Sequence, residues 1–330
     1  MTLAPTEPAR KVGVFNYLAA SVPSSLYRNG SVLTRRDKNG NDAGTQGIEV
    51  ARQEVPVLDA RAIEQSARRT LKTHGFELRS QPLMRDDLDF LQHEQVVRSY
   101  YGDCEHLVRE ATGASHVFAF DHNIRSAAGK SSRRRIEGGQ QVQGPGHFVH
   151  GDYTLASAPQ RLRELGAPPT GNDTLRSVLG EEQPLIEPDR VDRSLGEGGH
   201  FAIINVWRNI GDEPVASHPL ALCDAQTVRP EDLVVFEIHY ADRIGENYFA
   251  RHASRHRWYW YPSLTRDEVV LIKQWDSDGA LAQSGGDRAD ADDGTAPATF
   301  SFHSAFVDPA TPEDASDRWS IEVRCAVVYD

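Results

Sequence analysis

The sequence predicts a mostly β fold, a sandwich or jelly roll with flanking helices, and three observations carry that prediction. Helical periodicity is concentrated in the first half of the chain, whereas the second half is a series of short apolar and aromatic runs separated by turn residues. Such an order favours packed antiparallel sheets over a doubly wound sheet. No G-x-G-x-x-G follows a strand and no Walker motif is present, so a nucleotide-binding fold has no support.

In chain order, residues 1–50 carry turn signals at Gly30, Asn39-Gly40 and Gly44 around a short strand near Gly13–Tyr17. They read as an N-terminal arm lying on the surface, with 51–330 as one jelly-roll domain. Ile63, Ala67 and Leu71 at i, i+4, i+8 predict a helix over 59–74, closed by Gly75. A strand at Phe76–Arg79 follows, then a long helical region from about Asp86 to Ala111 with a stripe through Leu88, Leu91, Val96, Cys104, Leu107 and Val108. His116–His122 reads as a strand running on to Arg125, and 126–146 as a solvated loop holding Arg133-Arg134-Arg135. A short helix is predicted over 155–165, then Gly/Pro-rich connections to residue 200. Phe201–Trp207, Ala216–Cys223, Leu233–Tyr240, Trp258–Tyr261, Glu268–Trp275 and Trp319–Val328 read as strands. Between the last two, residues 276–299 form an acidic, Gly- and Ala-rich insert that reads as a loose excursion.

Composition narrows the function. A formal net charge of -12 argues against binding to nucleic acid or to an anionic membrane, both of which need a basic face. Cys104, Cys223 and Cys325 are odd in number and far apart, without zinc or disulfide spacing. No apolar leader opens the sequence, so a soluble cytoplasmic protein is expected.

The chemistry gathers at Phe148-Val149-His150-Gly151-Asp152. Side chains two apart on a strand share a face, so His150 and Asp152 present an imidazole and a carboxylate to one point. These are two corners of a 2-His-1-carboxylate metal site, which leaves coordination positions open. A third ligand must come from a distant strand, and His200, His218, His239, His252, His256 and His303 are the candidates. His252 and His256 sit among Arg251, Arg255 and Arg257, cations that would weaken a dication site, and read as surface or substrate-facing. His303 lies in a strand, Thr299–Phe306, and fifteen residues later Arg318-Trp319-Ser320 opens the closing strand.

This order resembles that of the Fe(II)/2-oxoglutarate-dependent oxygenases. Three stretches resemble more closely the branch containing gibberellin desaturase, aspergillic acid hydroxylase and the cephalosporin methoxylation protein (CmcJ-like). They are Ile204-Asn205-Val206-Trp207-Arg208, Trp260-Tyr261-Pro262 through Lys273–Ser277, and His303–Phe306 with Ser320–Arg324. The resemblance implies a double-stranded β-helix of cupin-like jelly-roll form, with Fe(II) held by His150, Asp152 and His303. It implies 2-oxoglutarate anchored by Arg318 with Ser320, O2 as oxidant, and hydroxylation or desaturation of a biosynthetic small molecule with release of succinate and CO2. An arginine suits the anchor because its fork matches a carboxylate with two hydrogen bonds. Arg318, Ser320, Glu322 and Arg324 alternate onto one face of the closing strand, so Arg324 stands as a second candidate anchor. Asn123, Arg125, Asn205, Trp207 and Arg208 are candidates for the substrate pocket. A cupin-like metal dioxygenase or isomerase that does not use 2-oxoglutarate, and a non-catalytic jelly-roll binding protein, are the alternatives.

Overall fold

The computed structural model describes residues 10–37, 42–63, 68–85, 87–170, 173–180, 182–240 and 243–329. Its strands are β1 (Arg10–Leu18), β2 (Leu33–Arg36), β3 (Asp42–Gln46), β4 (Val50–Asp59), β5 (Phe76–Ser80), β6 (His116–Arg125), β7 (His150–Gly151) and β8 (His200–Asn209). There follow β9 (Leu220–Cys223), β10 (Leu233–His239), β11 (Ile244–Ala250), β12 (Trp258–Trp260), β13 (Glu268–Asp276), β14 (His303–Ala305) and β15 (Ser320–Tyr329). They form a ten-stranded sheet, β1-β4-β12-β9-β14-β7-β11-β10-β2-β3, and a five-stranded sheet, β5-β13-β8-β15-β6. The jelly-roll expectation therefore holds. No helix among the described residues is long and apolar enough to cross a membrane.

The centre of the smaller sheet explains its sequence. β8 pairs antiparallel with β13 on one side and with β15 on the other, and nine of its ten residues are buried. A strand covered on both faces reads as a near-continuous apolar run, which is how Phe201–Trp207 reads. Its outer face lies under the helix Tyr101–Thr112, whose Tyr101, Cys104, Leu107 and Val108 are buried. That helix continues a helical stretch beginning at His93, seven residues later than the periodicity predicts.

Three expectations are corrected. The helix predicted over 59–74 is replaced by a single turn at Ala60–Ala62 and a short helix at Leu71–His74, with 64–67 outside the described residues. Asp59 caps the start of the first turn by accepting from the Arg61 and Ala62 amides, and the turn ends where Ile63 becomes extended, at φ -79 and ψ 134. Gly75 does close the second, at φ 84. The N-terminal arm is part of the large sheet: β1 pairs with β4 from Arg10↔Leu58 to Leu18↔Val50, and bridges Val307 and Phe148. Phe15 and Tyr17 are 1% and 0% exposed, a burial worth about 1.5–3 kcal/mol per large side chain.

The acidic insert is likewise structured. It contains a helix at Ala280–Gln283 and a 3-10 turn at Asp290–Asp292, and Ala280, Leu281, Ala289 and Asp290 are buried. The buried carboxylate of Asp290 accepts from the Leu281 amide and from both the amide and the hydroxyl of Thr299. One internal acceptor thus organises a segment whose composition reads as loose.

Candidate metal centre

The two-residue strand β7 lies between β14 and β11, and His150 is the direct cross-strand partner of both His303 and Phe249. Paired residues on neighbouring strands point to the same face. Two imidazoles more than 150 positions apart in sequence are thereby set side by side, with ring centroids 4.3 Å apart. Asp152 faces the same point: its Oδ1 is 3.6 Å from His150 Nε2 and 4.0 Å from His303 Nε2. One ligand atom from each residue lies within 4.8 Å of the others, and among the described residues this is the group so arranged. The side chains of His150, Asp152 and His303 are 13%, 8% and 6% exposed, enclosed yet reachable.

Electrostatics fit a cation. His150 Nδ1 is 2.7 Å from the Phe148 carbonyl. A carbonyl only accepts, so Nδ1 carries the proton and Nε2 keeps a lone pair directed at Asp152. Burial, reinforced by His303 and opposed by Asp152, brings the His150 imidazole down to about 4; burial lowers His303 as well. For Asp152 burial pushes upward, but Arg324, His303, His150 and the Asn205 amide together hold the carboxyl below its usual range. Two neutral imidazoles and a carboxylate converge at neutral pH. That donor set suits a divalent transition metal with coordination positions to spare.

The opposite wall is the inner face of the smaller sheet. Strand register brings Ser320, Glu322 and Arg324 of β15 beside Arg125, Asn123 and Asp121 of β6, and beside Asn209, Trp207 and Asn205 of β8. The polar alternation of the closing strand is thus one column of a polar sheet face. Arg318, just before β15, is 3% exposed with its guanidinium 5.7 Å from the Trp207 ring centre. It donates through one terminal nitrogen to the His218 carbonyl. Its Nε, and the Ser320 Oγ, are buried without a hydrogen-bond partner among the described residues. Burial, then the charge of Arg125, pulls the Arg318 guanidinium down to about 9. The Arg125 charge disfavours the protonated forms of His150, His303 and Arg318 alike.

Arg324 is placed differently. Its Nε donates to Asp152 Oδ2 at 3.2 Å and one terminal nitrogen donates to Asp121 Oδ2 at 2.8 Å. With its amide oxygen turned toward the guanidinium, Asn123 accepts from both terminal nitrogens at 2.9 Å. Asn205 donates to Asp152 Oδ2 at 3.0 Å. Arg208 does not join the site. It faces the helical side, where its Nε donates to the Tyr100 hydroxyl at 2.8 Å and a terminal nitrogen donates to the Arg266 carbonyl. In an alternating strand the residue after Trp207 must point away from it.

The remaining histidines are occupied elsewhere. His200 pairs with Asp276, His239 with Glu237 and His256 with Asp232. His256, read from its arginine neighbours as surface or substrate-facing, has a fully buried side chain. Asp232 binds both it and Arg255, so the local charge is balanced. His218 packs edge-on against His147. Two further residues belong to the site: Gln274, to which the sequence assigns no role, and Glu322, which alternation places on the inner column of the closing strand. Gln274 accepts from the Asp152 amide at 3.0 Å, and its amide nitrogen is 3.5 Å from His303 Nδ1. Glu322 is a buried carboxyl beside Arg324, 3.7 Å from a guanidinium nitrogen. For Gln274 the available signal is a fully buried amide in the strand β13.

The sequence and the fold have counterparts among known proteins. Residues 15–328 match the family model described as oxidoreductase/YMDC permease-like domain. An uncharacterized protein in the dcmA 3'region of Methylophilus leisingeri is 45% identical over 195 residues, covering 59% of this chain and 88% of that protein. The Fe(II)/2-oxoglutarate-dependent dioxygenase nvfI of Aspergillus novofumigatus is 28% identical over 262 residues, 78% of this chain and 77% of that one. The hydroxylase/desaturase CTB9 of Cercospora beticola is 28% identical over 277 residues, 79% and 72% respectively. Among solved structures, the iron and alpha-ketoglutarate-dependent endoperoxidase NvfI superposes with a TM-score of 0.69 over 97% of this chain and 98% of its own, at 23% identity, a likeness of fold. With the model matched over nearly its whole length, this chain belongs to the oxidoreductase/YMDC permease-like domain family.

Proposed function

We propose that this chain is an Fe(II)/2-oxoglutarate-dependent oxygenase that hydroxylates or desaturates a biosynthetic small molecule and releases succinate and CO2. The observation that carries the reading is the pair of unpartnered polar atoms, Arg318 Nε and Ser320 Oγ, buried at the start of the strand whose Arg324 reaches Asp152 of the His–Asp–His cluster. A buried donor without a partner costs about 1–3 kcal/mol, so such a pair implies a ligand of matching chemistry. A carboxylate accepts from both, and only a co-substrate with a second carboxylate needs a cation set apart from the metal. Relatives named as dioxygenases and hydroxylase/desaturases lend the same support.

His150, Asp152 and His303 hold the metal in this reading, and Arg318 with Ser320 takes the far carboxylate of 2-oxoglutarate. When bound, the iron with 2-oxoglutarate and O2 supplies the two-electron oxidation of a C–H bond, coupled to loss of CO2. The chain's own part is orientation and exclusion of water: the Phe148 carbonyl fixes the His150 tautomer, and Trp207 lies beside the Arg318 guanidinium. Arg125, Asn123, Asn205 and Trp207 line the face toward the substrate. Three buried thiols without disulfides suit a reducing compartment, and a cytoplasmic location belongs to the same proposal. The test is succinate formation from 2-oxoglutarate under air with Fe(II). Succinate that requires both Fe(II) and Arg318 supports it. Metal-dependent chemistry indifferent to 2-oxoglutarate assigns the chain to the cupin-like dioxygenases or isomerases instead.

A further inference from the structure

We infer that Arg324, together with Asn205, is a positioning residue that restricts Asp152 to ligating the metal through one oxygen. The inference rests on the metal reading above and goes beyond it by assigning a task to the second arginine of the closing strand. A carboxylate has two oxygens, and a metal in an open site can take one or both. Here the two oxygens of Asp152 are treated differently. Oδ1 faces His150 Nε2 and His303 Nε2. Oδ2 receives the Asn205 amide at 3.0 Å and the Arg324 Nε at 3.2 Å. Two hydrogen bonds, one charge-assisted, engage the lone pairs that a second metal bond would need.

The clamp is itself held rigid. Asp121 takes one terminal nitrogen of Arg324, Asn123 spans both, and Glu322 approaches the remaining side at 3.7 Å. A guanidinium fixed at its far end has little freedom to rotate away from Asp152, and its planar fork sets the direction of Nε. Asn205 comes from the neighbouring strand as the direct partner of Arg324. The Asp152 amide is tied separately to Gln274, so the carboxylate is oriented from both of its ends. Partners of this kind fix ligand geometry and tune affinity in metal sites. Limiting Asp152 to one oxygen leaves one more coordination position for exchangeable ligands.

Mn(II) serves as the probe, because its affinity and its number of exchangeable waters are both read by electron paramagnetic resonance. The full chain is compared with Asn205→Ala and with the double variant Arg324→Met/Asp121→Asn, which removes the buried cation together with one of its counter-charges. Both variants should bind Mn(II) about 10–100-fold more weakly and hold one exchangeable water fewer than the wild type. Arg324→Lys, which keeps the charge on a single nitrogen without the planar fork, should recover part of the affinity. If the double variant does not fold, Asn205→Ala decides alone, since it leaves the Arg324–Asp121 pair intact. Unchanged affinity and water count in a folded Asn205→Ala chain overturn the inference. Failure of the wild type to bind Mn(II) overturns the metal reading instead.

Discussion

Trp258 donates its indole N–H to the Tyr17 hydroxyl at 2.8 Å, and that hydroxyl lies 3.2 Å from His256 Nδ1. His256 in turn contacts Asp232 through Nε2 at 3.1 Å. The chain Trp258–Tyr17–His256–Asp232 ties β1 to residues more than 200 positions away, through buried atoms. Tyr17→Phe removes the shared hydroxyl and should lower stability by about 1–3 kcal/mol, the cost of orphaning buried polar groups. Urea unfolding measures it; an unchanged midpoint would mean that β1 is held by packing alone.

The insert at 276–299 should behave as core. Asp290→Ala strands the Thr299 amide and hydroxyl and the Leu281 amide. A loss of at least about 1–3 kcal/mol is expected, as is a clear fall in Tm when 280–298 is replaced by a tight turn. Near-normal melting of the shortened chain would restore the looser reading that its composition gives.

His122 predicts a pH dependence. Burial brings its imidazole down to about 4 in the folded chain, and its Nδ1 is 2.8 Å from the Tyr101 hydroxyl. The unfolded chain takes up this proton near pH 6.5, so the neutral histidine stabilises the fold fully above that pH. The contribution disappears as pH falls from 6.5 toward 4, and amounts to something on the order of 3 kcal/mol. Chemical unfolding of wild type and His122→Gln at several pH values isolates it: the difference between them should shrink on acidification. A difference independent of pH would contradict the assignment.

Much of this was legible in the residues, and the gaps have physical reasons. The inner-facing column of β15 was readable because alternation in a strand is strict, so Ser320, Glu322 and Arg324 had to share a face. His150 and Asp152 were readable for the same reason. The pairing of His150 with His303 follows from a two-residue strand between two remote ones, and no local signal encodes it. Arg318 and Arg324 look alike in sequence. Spacing from His303 favours Arg318 as the anchor, and the register that brings Asp121 and Asn205 against Arg324 gives the second arginine its own partners. The Ile63–Leu71 periodicity does not become one helix because the backbone is already extended at Ile63. The acidic insert misled because one buried carboxylate outweighs its composition.

His150→Ala, Asp152→Ala and His303→Ala should each abolish tight metal binding while the chain stays folded, since each removes one donor from a polar cluster rather than a side chain from the apolar core. Metal titration followed by circular dichroism checks both halves. Retained binding in His303→Ala, with loss in His239→Ala, would show that the third donor lies elsewhere.

The most direct test is the anaerobic titration of 2-oxoglutarate into the Fe(II)-loaded chain, followed by visible absorption. A weak charge-transfer band should grow and saturate in the wild type. Arg318→Lys should need roughly ten- to over a hundredfold more 2-oxoglutarate to reach the same band, because losing a charge-assisted hydrogen bond costs about 1.5–3 kcal/mol. Absence of any band in the wild type, or a band whose midpoint is the same in Arg318→Lys, would contradict a 2-oxoglutarate site anchored on Arg318.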